Sequence, residues 1–576
     1  MNIFRPDNLR TTALLSLSGI LLGIGFAPLH LGVLAYLGFL PLLVVLERTS
    51  GVMQTLRRLY WAFFVFQGVS NWWVSSWQRE ADPYLMAAGI ALWLGHPLFF
   101  AVPMFGYTFV HKRLGRASAL TMLPFLWTAF EWLHGLGEAS YPWQALGYTQ
   151  AFYTPLIQIA DITGVWGLSW CIVAVNALLA VCFFAFRGLS ASDSLAARLT
   201  KTLYLCRLQV VSILGLLLLM LGYGVWQVRN FQHEALLKSH KSVSVGIIQS
   251  NINPWGKWQG SAQEQVTLHL HLADSLRTHL PNGISRLDFT LWSETAIPYR
   301  ILIMQNFPYL DGLRAWTDST GIGILSGLPT DRIYRTRAEA PITASVIPRV
   351  FDTLYAESFN SAMMLAPRTD ITHSDPFTPY PPAIAVHRKM KLTPFAERVP
   401  YAEKISFAVK ALTWGVGISG WGLGREQKPL PLKRESDTAQ IGAVICIESI
   451  YPAFVADYAR KGATLLVVIT NDGWFNHTPG PEQHYMIAAM RAVENKRYLA
   501  RCGNTGISGF LTPLGTSLQR TEIDTQTALA QTLPLLSGET LYVRFGDWLP
   551  IVSCLLVALA IGSAIVWHRA FAYETT

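Results

Sequence analysis

Charged residues are scarce in this chain of 576 residues. Only 14% are Asp, Glu, Lys or Arg, against about 25% in an ordinary soluble domain. With 51% hydrophobic residues, this composition argues against a large soluble enzyme and indicates an integral membrane protein. The net charge of +9 does not indicate nucleic-acid binding, because the basic residues lie mainly in short loops beside apolar runs, where they set membrane orientation.

Cysteine is also scarce, with six residues in the chain. Four of them lie in or beside apolar runs, where a thiol behaves as a small hydrophobic group. Cys446 and Cys502 lie in the less apolar segment, residues 232–544. A disulfide between them is the alternative in an oxidising compartment. We favour a free Cys446, because its sequence context is catalytic in character and that of Cys502 is not.

Eight apolar runs approach the length of about 20 residues that a helix needs to cross a bilayer. The first is not expected to be a cleaved signal peptide, because Ala27-Pro28 is a poor cleavage site. Basic residues flank the runs at every second connection, as the positive-inside rule requires when both termini are cytoplasmic. The runs lie near residues 11–29, 31–47, 60–77, 85–110, 118–135, 156–186, 207–229 and 546–567.

The chain is therefore predicted to have three parts. Residues 1–231 form a transmembrane bundle of seven spans, residues 232–544 a globular domain, and residues 545–576 the eighth span with a cytoplasmic C-terminus. The alternation of basic loops places the globular domain on the outer side of the membrane. In a Gram-negative bacterium that side is the periplasm.

Two features of the predicted bundle allow more than one interpretation. The outer loops are rich in Trp, Tyr, Pro and Gly, as in residues 139–148, which fits either an interfacial aromatic belt or an opening lined for substrate. Glu131 and Asp161 are acidic residues in apolar surroundings, and such residues are often functional. A structural pair or a contact with a lipid headgroup would explain them equally well.

In the globular segment, short β-rich runs alternate with helical stretches. The strands are nearly continuous in apolar residues, which is typical of sheets covered on both faces, so we predict an α/β domain with helices outside and sheets inside. Residues 366–386 form a long loop, which is predicted to be a lid or a binding element. The predicted strands are 242–249, 287–292, 321–328, 361–365, 441–446, 464–470 and 507–511, and the predicted helices are 261–279, 449–461 and 481–498.

Cys446 is the strongest candidate for chemistry. It ends the apolar strand-like run 442–445 and precedes a predicted helix with Pro452 in its first turn. Because a free thiol has a pKa of about 8.5, we expect the helix N-terminus to favour the thiolate. A lone buried cysteine is more often an inert part of a core, but two further polar motifs point to catalysis.

Glu294 and Lys389 belong to those motifs. Glu294 follows a hydrophobic strand in Leu-Trp-Ser-Glu-Thr-Ala-Ile-Pro, where partial burial would make it a usable general base. Lys389 is placed in His-Arg-Lys-Met-Lys-Leu-Thr-Pro-Phe-Ala-Glu, and its ammonium would stabilise the oxyanion that forms when a carbonyl is attacked. Taken alone, each has an ordinary explanation, a surface Glu or a solvated loop Lys, and Lys391 is a nearby rival.

Together these residues resemble the Glu-Lys-Cys triad of the nitrilase superfamily. Glu294 lies in W-x-E-T-A-I-P, Lys389 in K-x-x-L-x-P-F-x-E and Cys446 in I-C-x-E. The sequences at 470–475 and 503–508 match the superfamily further, in the expected order.

The chain as a whole is similar to the apolipoprotein N-acyltransferase family. Several predicted spans precede the domain and one follows it, and residues 141–144 and 544–548 also look like family sequence. The resemblance implies a polytopic α-helical membrane bundle of eight spans joined to a nitrilase-like αββα sandwich. It places the protein in the inner membrane of a Gram-negative bacterium.

The resemblance also implies a reaction. A fatty acyl chain, expected to be the sn-1 chain of phosphatidylethanolamine, passes to the N-terminal cysteine amine of a diacylglyceryl apolipoprotein. Cys446 would form a thioester, Glu294 would accept the thiol proton, and Lys389 would stabilise the oxyanion. No metal, cofactor or nucleic acid is implied, and we expect a monomer.

Six further residues receive supporting roles from the resemblance. Glu397 and Glu448 match carboxylates that are expected to hold Lys389 and to shape the site. Ile447 stands where the family often has Tyr, so any role of that ring is absent. The positions that match substrate-contacting residues or mobile gating loops are Trp258, Asn360, Trp474 and Phe475.

Three other functions are alternatives. A membrane-anchored nitrilase-type amidase would use water as acceptor, but hydrolysis of a soluble amide needs no membrane bundle. A transporter with an accessory outer domain would have charged or broken spans, which only Glu131 and Asp161 suggest. A non-catalytic scaffold would be expected to have lost a triad residue, and this chain has all three.

Overall fold

The computed structural model describes residues 6–76, 83–237, 241–258, 260–303, 306–348, 353–368, 384–404, 420–434 and 437–574. The described chain is helical before residue 238, and all its strands lie after that point. The predicted long loop at 366–386 lies mostly outside the described residues, so its role as a lid stays a prediction.

The apolar part of the chain is a bundle of helices of unequal length. Its α-helices are α1 (Pro6–Gly23), α2 (Leu40–Leu46), α3 (Val52–Ser70), α4 (Pro83–His134), α5 (Thr154–Ile157), α6 (Ala160–Thr163), α7 (Val165–Gly188), α8 (Leu195–Leu205) and α9 (Arg207–Leu237). α4 breaks at Gly115, whose φ of 84° lies in the left-handed region. It therefore contains two of the predicted runs. The run near 31–47 forms a 3₁₀ turn, Gly32–Leu37, followed by the short α2.

Four helical segments of the described chain are long and apolar enough to cross a membrane, by length and composition: Leu85–His134, Val165–Gly188, Arg207–Phe231 and Trp548–Val566. This criterion counts α4 once, although the break at Gly115 divides it. The helices at the runs near 11–29, 31–47 and 60–77 do not meet it. The number of eight spans therefore stays a prediction.

The apolar run 156–186 predicted that Asp161 lies inside a long helix. The structure shows that it does not. Gly164 has a φ of 65° and separates α6 from α7, so the long helix begins only at Val165. The Asp161 carboxylate accepts hydrogen bonds from Tyr223 Oη at 2.8 Å and from Gln227 Nε2 at 2.5 Å, both on α9. It lies 3.5 Å from Lys496 Nζ of the globular part. The residue joins two parts of the molecule.

The loop after α4 packs inside the molecule. Trp143 is only 4% exposed, and its Nε1 donates to Gln483 Oε1 of the globular part at 2.9 Å. Gln144 binds the polar end of α3, accepting from Gln67 Nε2 at 2.8 Å and donating to Ser70 Oγ at 2.6 Å. The side chains of Trp143 and Gln144 therefore contribute to an interface, and a substrate opening at residues 139–148 stays a prediction.

The globular part contains two β-sheets. Its strands are β1 (Ser242–Gln249), β2 (Phe289–Trp292), β3 (Gly323–Tyr334), β4 (Ser345–Pro348), β5 (Thr353–Leu365), β6 (Ala385–Arg388), β7 (Leu430–Lys433), β8 (Thr438–Ile445), β9 (Leu465–Thr470), β10 (Leu499–Gly503), β11 (Gly509–Leu511), β12 (Ser517–Arg520) and β13 (Thr527–Pro534). One sheet has the order β13-β1-β2-β3-β5-β4, with β6 also paired to β5. The other has the order β12-β11-β10-β9-β8-β7. Each predicted strand is present, and β3 and β5 are longer than predicted.

The remaining helices are α10 (Ala262–Thr278), α11 (Phe307–Thr320), α12 (Pro452–Arg460), α13 (Pro479–Asn495), α14 (Leu541–Phe545) and α15 (Trp548–Glu574). α10 and α11 pack on the outer face of the first sheet. α12 and α13 pack on the outer face of the second. Apolar side chains of both sheets, such as Val245 and Val467, form the core between them. The predicted αββα sandwich is confirmed.

Cys502 lies in the core between the sheets. It is buried, and its Sγ is 3.3 Å from the carbonyl oxygen of Ile248. Cys446 and Cys502 are both free thiols. The alternative of a disulfide between them is therefore wrong.

Candidate active site

Three strand ends bring the candidate catalytic side chains together. Glu294 lies just after β2, Lys389 directly follows β6, and Cys446 directly follows β8. β2 and β6 belong to one sheet and β8 to the other. Because the sheets pack face to face, residues that are distant in sequence meet at one end of the sandwich.

Lys389 is the centre of a buried ionic cluster. Its Nζ lies 3.0 Å from Glu294 Oε1 and 2.8 Å from Glu397 Oε1, and the residue is 1% exposed. Burial alone would lower the pKa of Lys389, but the two carboxylates outweigh burial and hold it well above its ordinary value. The ammonium is therefore charged at any physiological pH, as a stabiliser of negative charge must be.

Asn360 holds the two carboxylates in place from β5. Its Nδ2 donates to Glu294 Oε1 at 2.8 Å and to Glu397 Oε1 at 3.2 Å. Asn360 lies in the paired strand β5 and not on a loop, and its assignment to substrate contact or gating stays a prediction. Its Oδ1 is buried and has no partner in the described structure, so contact with substrate through that atom stays a prediction.

The turn that carries Glu294 is supported from below. Lys257 is 3% exposed, and its Nζ donates to the Glu294 carbonyl oxygen at 3.0 Å and to Thr295 Oγ1 at 2.9 Å. Burial lowers the pKa of Lys257 to about 8, against the opposing charge of Glu294. A Cβ at Gly327 of β3 would lie 2.3 Å from Thr295 N, so only glycine lets that strand approach the turn. No sequence pattern marks Lys257 as part of the site.

The Cys446 thiol is held in its protonated form. Burial raises its pKa well above the ordinary value, the charge of Glu294 adds to the rise, and the charge of Lys389 opposes it. The expected α-helix does not begin at the thiol, because Cys446–Ile450 is a 3₁₀ turn and α12 starts at Pro452. The expectation of a resting thiolate is therefore wrong. The thiol needs a base to take its proton.

Glu448 shapes the site through the backbone and not through the Lys389 ammonium. Its Oε1 accepts from Met390 N at 2.6 Å, and its Oε2 accepts from Ile445 N at 2.8 Å and lies 3.1 Å from His387 Nε2. It thereby ties the segment after β6 to the end of β8. The expectation that Glu448 holds the lysine directly is corrected in this respect, whereas Glu397 binds the ammonium as expected.

Of the three aromatic residues predicted to contact substrate or to gate it, Trp474 and Phe475 lie in a 3₁₀ turn that contacts the bundle, and Trp258 lies in a separate turn. Trp258 is 52% exposed. Trp474 packs edge-on against Trp255, with ring centroids 4.9 Å apart, and its carbonyl oxygen accepts from Ser76 Oγ. Phe475 packs edge-on against Trp73 with a centroid distance of 4.8 Å. These contacts show where the loops rest, and the gating role stays a prediction.

The arrangement is suited to nucleophilic attack on an acyl group. A thiol, a carboxylate and a permanently charged ammonium are close enough to affect one another's protonation. The described residues contain no group of three or more His, Cys, Asp or Glu side chains able to hold a metal ion. Lys391, the rival of Lys389, has its Nζ 4.9 Å from the centre of the Tyr451 ring, outside the carboxylate cluster.

Family models match both parts of the chain. Residues 18–178 match the apolipoprotein N-acyltransferase N-terminal domain, and residues 245–520 match carbon-nitrogen hydrolase. The apolipoprotein N-acyltransferase of Chlorobaculum tepidum is 32% identical over 557 residues, which cover 95% of this chain and 96% of the relative. The chain belongs to the apolipoprotein N-acyltransferase family.

A second relative agrees with this membership. The apolipoprotein N-acyltransferase of Geobacter metallireducens is 29% identical over 570 residues, with 96% of each chain covered. Among solved structures, Saccharomyces cerevisiae Nit3, a member of branch 10 of the nitrilase superfamily, is 14% identical, and the match covers 54% of this chain and 94% of Nit3 with a TM-score of 0.34. The carbon-nitrogen hydrolase match of this family member begins inside β1 and ends with β12.

Proposed function

We propose that this protein transfers a fatty acyl chain from a phospholipid, through a thioester on Cys446, to the N-terminal cysteine amine of a diacylglyceryl apolipoprotein. The expected donor is the sn-1 chain of phosphatidylethanolamine. The observation that carries the proposal is the Lys389 ammonium shared by Glu294 and Glu397 beside a thiol of raised pKa. Such a site has a nucleophile, a base and a stabiliser of negative charge.

The first half-reaction acylates the enzyme. Glu294 accepts the Cys446 proton as sulfur attacks the ester carbonyl, and the tetrahedral oxyanion forms beside Lys389. The carbon–oxygen bond then breaks, Glu294 returns the proton to the departing glycerol oxygen, and a lysophospholipid leaves. The same carboxyl thus acts first as base and then as acid.

The second half-reaction uses the same groups. The amine of the acceptor attacks the thioester carbonyl and gives a proton to Glu294, again through an oxyanion beside Lys389. The carbon–sulfur bond breaks, the thiolate leaves and takes the proton from Glu294, and the new amide is released. Glu397 and Asn360 keep Lys389 and Glu294 in register through both steps, since each binds a member of the cluster.

The bundle supports a lipid substrate over a soluble one. Long rows of exposed apolar side chains run along its helices, including Leu214, Leu218 and Leu219 of α9, which are 54%, 66% and 73% exposed. We place the bundle in the inner membrane of a Gram-negative bacterium as eight spans, with both termini cytoplasmic, residues 232–544 in the periplasm and the protein a monomer. A reporter fused after Thr576 tests this topology. A periplasmic signal would exclude the eight-span count.

A membrane-anchored amidase is the second candidate, because residues 245–520 match carbon-nitrogen hydrolase. Its acceptor would be water and the acyl-enzyme would form in the same way. The transporter alternative loses its main support. Asp161 lies outside the long helices and accepts a hydrogen bond from Tyr223 of α9. Glu131 accepts from Trp127 Nε1 at 2.7 Å and from Leu146 N at 2.8 Å.

A labelled-lipid assay tests the proposal. Purified protein is mixed with phosphatidylethanolamine carrying a labelled sn-1 chain, and Cys446 is examined by mass spectrometry for a hydroxylamine-sensitive acyl group. We expect the group on the wild type and not on Cys446→Ser. A diacylglyceryl lipopeptide should then remove it as an N-acyl product. Loss of the label to water at the same rate with and without lipopeptide would favour the amidase, and the absence of any acyl-enzyme would reject both.

A further inference from the structure

A second hydrogen-bonded network of polar side chains, the His484 network, contacts the backbone of Cys446. It consists of Ser449, His484, Asp472 and Arg501. Ser449 Oγ lies 2.8 Å from the Cys446 carbonyl oxygen and 2.7 Å from His484 Nε2. His484 Nδ1 lies 2.8 Å from Asp472 Oδ1. Asp472 Oδ2 accepts from Arg501 Nη2 at 2.5 Å. The hydrogen bonds described for these four side chains do not reach Lys389, Glu294 or Glu397, so the chemistry proposed above leaves them unused.

The His484 network has the residue order of a Ser-His-Asp triad, but its serine does not act as a second nucleophile. Ser449 is 0% exposed, and His484 and Asp472 are each 2% exposed. A hydroxyl closed off from solvent and from lipid meets no substrate. Its contact with the Cys446 carbonyl is the route by which it affects the reaction.

The ionised state of Asp472 fixes which nitrogen of His484 carries a proton. Burial would raise the pKa of Asp472, but Arg501 and His484 outweigh burial and hold it well below its ordinary value. An ionised carboxylate only accepts hydrogen bonds, so His484 carries a proton on Nδ1. The imidazole is thus held in one orientation, with Nε2 facing Ser449 Oγ, whose single proton is shared between Nε2 and the Cys446 carbonyl oxygen.

The backbone that the His484 network contacts has an unusual conformation at Cys446. Cys446 has a φ of 50°, in the left-handed region that residues with a Cβ seldom adopt. Its carbonyl oxygen lies between Ser449 Oγ and His484 Nε2, the latter at 3.2 Å. The direction of the thiol depends on this φ, and a reaction that needs sulfur aligned with both base and carbonyl is sensitive to a displacement of an ångström.

We propose that His484, oriented by Asp472 and acting through Ser449, is a positioning residue that fixes the Cys446 backbone and aims its thiol at Glu294 and at the acyl carbon. The alignment of the thiol with the acyl carbon rests on the proposed function. The alignment of the thiol with Glu294 does not. His484 does not touch the reacting atoms.

His484 also joins the nucleophile to the bundle. Its ring packs on Trp143 with a centroid distance of 5.1 Å. The preceding residue, Gln483, donates through Nε2 to the carbonyl oxygens of Ala27 and Ser70, each at 3.1 Å. The His484 network therefore begins where α13 meets the bundle.

Two amide substitutions separate the two ends of the imidazole. The Gln side chain in His484→Gln reaches the Nε2 position and keeps the contact with Ser449, but it loses Asp472. The shorter Asn in His484→Asn keeps the contact with Asp472 and loses Ser449. Neither amide titrates, and both create a similar packing defect. Ser449→Ala removes one hydroxyl and is the variant least exposed to misfolding.

Three measurements are made on full-length protein in detergent. They are the rate of Cys446 alkylation by iodoacetamide, followed on the Cys446 peptide; the single-turnover rate of acyl-enzyme formation against lipid concentration; and the melting temperature. We expect His484→Gln to stay within about threefold of wild type in both rates, and His484→Asn and Ser449→Ala to lose about tenfold or more. The loss should appear in the maximal rate, with the lipid concentration for half-maximal rate unchanged.

The alternatives give different patterns. A merely structural His484 would make both rates follow the melting temperature, so that Gln and Asn variants of equal stability would react equally. That result, or wild-type rates in Ser449→Ala, would overturn the proposal. If no protein forms an acyl-enzyme but alkylation separates the variants as expected, the acyltransferase function fails and the positioning role stands.

Discussion

Lys389 and Arg491 are both buried cations, and they differ in their partners. Lys389 contacts the carboxylates of Glu294 and Glu397, whereas Arg491 Nη2 contacts Glu494 Oε1 at 2.9 Å on the same helix. Both pairs are almost fully buried. The first cluster holds one more negative charge than positive charge, and it faces a thiol.

The second pair is engaged in assembly. Glu494 Oε1 also accepts from Val165 N at 2.9 Å, at the start of α7, and Arg491 lies 5.6 Å from the centre of the Tyr148 ring. It therefore ties the bundle to the sandwich. The comparison shows that burial of an ion pair does not by itself indicate catalysis, because structural pairs are buried as well. The surplus carboxylate and the neighbouring nucleophile make the difference.

Removing the base should have the largest effect. In Glu294→Gln the amide keeps the shape of the side chain but cannot accept a proton, so we expect acyl-enzyme formation to fall by about 10³- to 10⁴-fold. The protein should remain folded in detergent. Mass spectrometry of Cys446 after exposure to labelled lipid gives the rate. Glu403→Gln, at a half-exposed carboxylate paired with Arg398, is the control, and an equal loss there would contradict the assignment.

Removing the ammonium should have the next largest effect. Lys389→Ala leaves Glu294 and Glu397 without their cation and the oxyanion without its stabiliser, so we expect thioester formation to fall by about 10²- to 10³-fold. Lys391→Ala tests the rival lysine under the same conditions. Normal acylation by Lys389→Ala together with loss in Lys391→Ala would exchange the two roles.

Breaking the assembly pair should reduce stability and leave chemistry intact. Arg491→Met strands the buried Glu494 carboxylate, and we expect the free energy of unfolding to fall by about 3 kcal/mol. Lys461→Met breaks an exposed pair with Asp457 and should cost less than about 1 kcal/mol. Thermal unfolding in detergent and the acylation rate per folded molecule are measured together. A lower rate per folded Arg491→Met molecule would place this pair in the catalytic machinery.

The smallest effect concerns pH. Burial raises the pKa of Glu494 from 4.5 to about 7, against the charge of Arg491. The folded protein thus binds this proton more tightly than the unfolded chain, so the stabilisation is complete below pH 4.5 and is lost as pH rises through about 7. Glu494→Gln removes the titration. Between these pH values we expect the melting temperature of the wild type to fall relative to that of Glu494→Gln. Glu264→Gln, at an exposed position of α10, should follow the wild type.

The convergence of the candidate active-site residues was predictable because these residues lie in local patterns. Glu294 and Cys446 each end an apolar run, and Lys389 belongs to a recognisable motif, so strand ends and order along the chain were enough to group them. The layering of helices outside and sheet inside followed from strands without polar alternation, and the αββα sandwich was implied by the nitrilase resemblance. Local pattern also misled at Asp161, where Gly164 ends one helix and begins another within a continuous apolar run.

The supporting contacts were not predictable in this way. Gln67 and Gln144, or Ser449 and His484, are partners because the fold brings distant segments together, and no periodicity marks such pairs. The raised pKa of the Cys446 thiol likewise depends on how completely the two sheets and the bundle cover it. Long-range packing, and not residue type, decides these properties.

The protonated resting state of Cys446 has a consequence for the durability of the protein. Thiolates, and not thiols, react with peroxides to give sulfenic acid and its irreversible products. In the proposed reaction this sulfur keeps its proton between turnovers, and Glu294 accepts the proton only as the sulfur attacks a bound acyl group. If Cys446 is the nucleophile as proposed, its protonated thiol reacts slowly with peroxides while no acyl donor is bound.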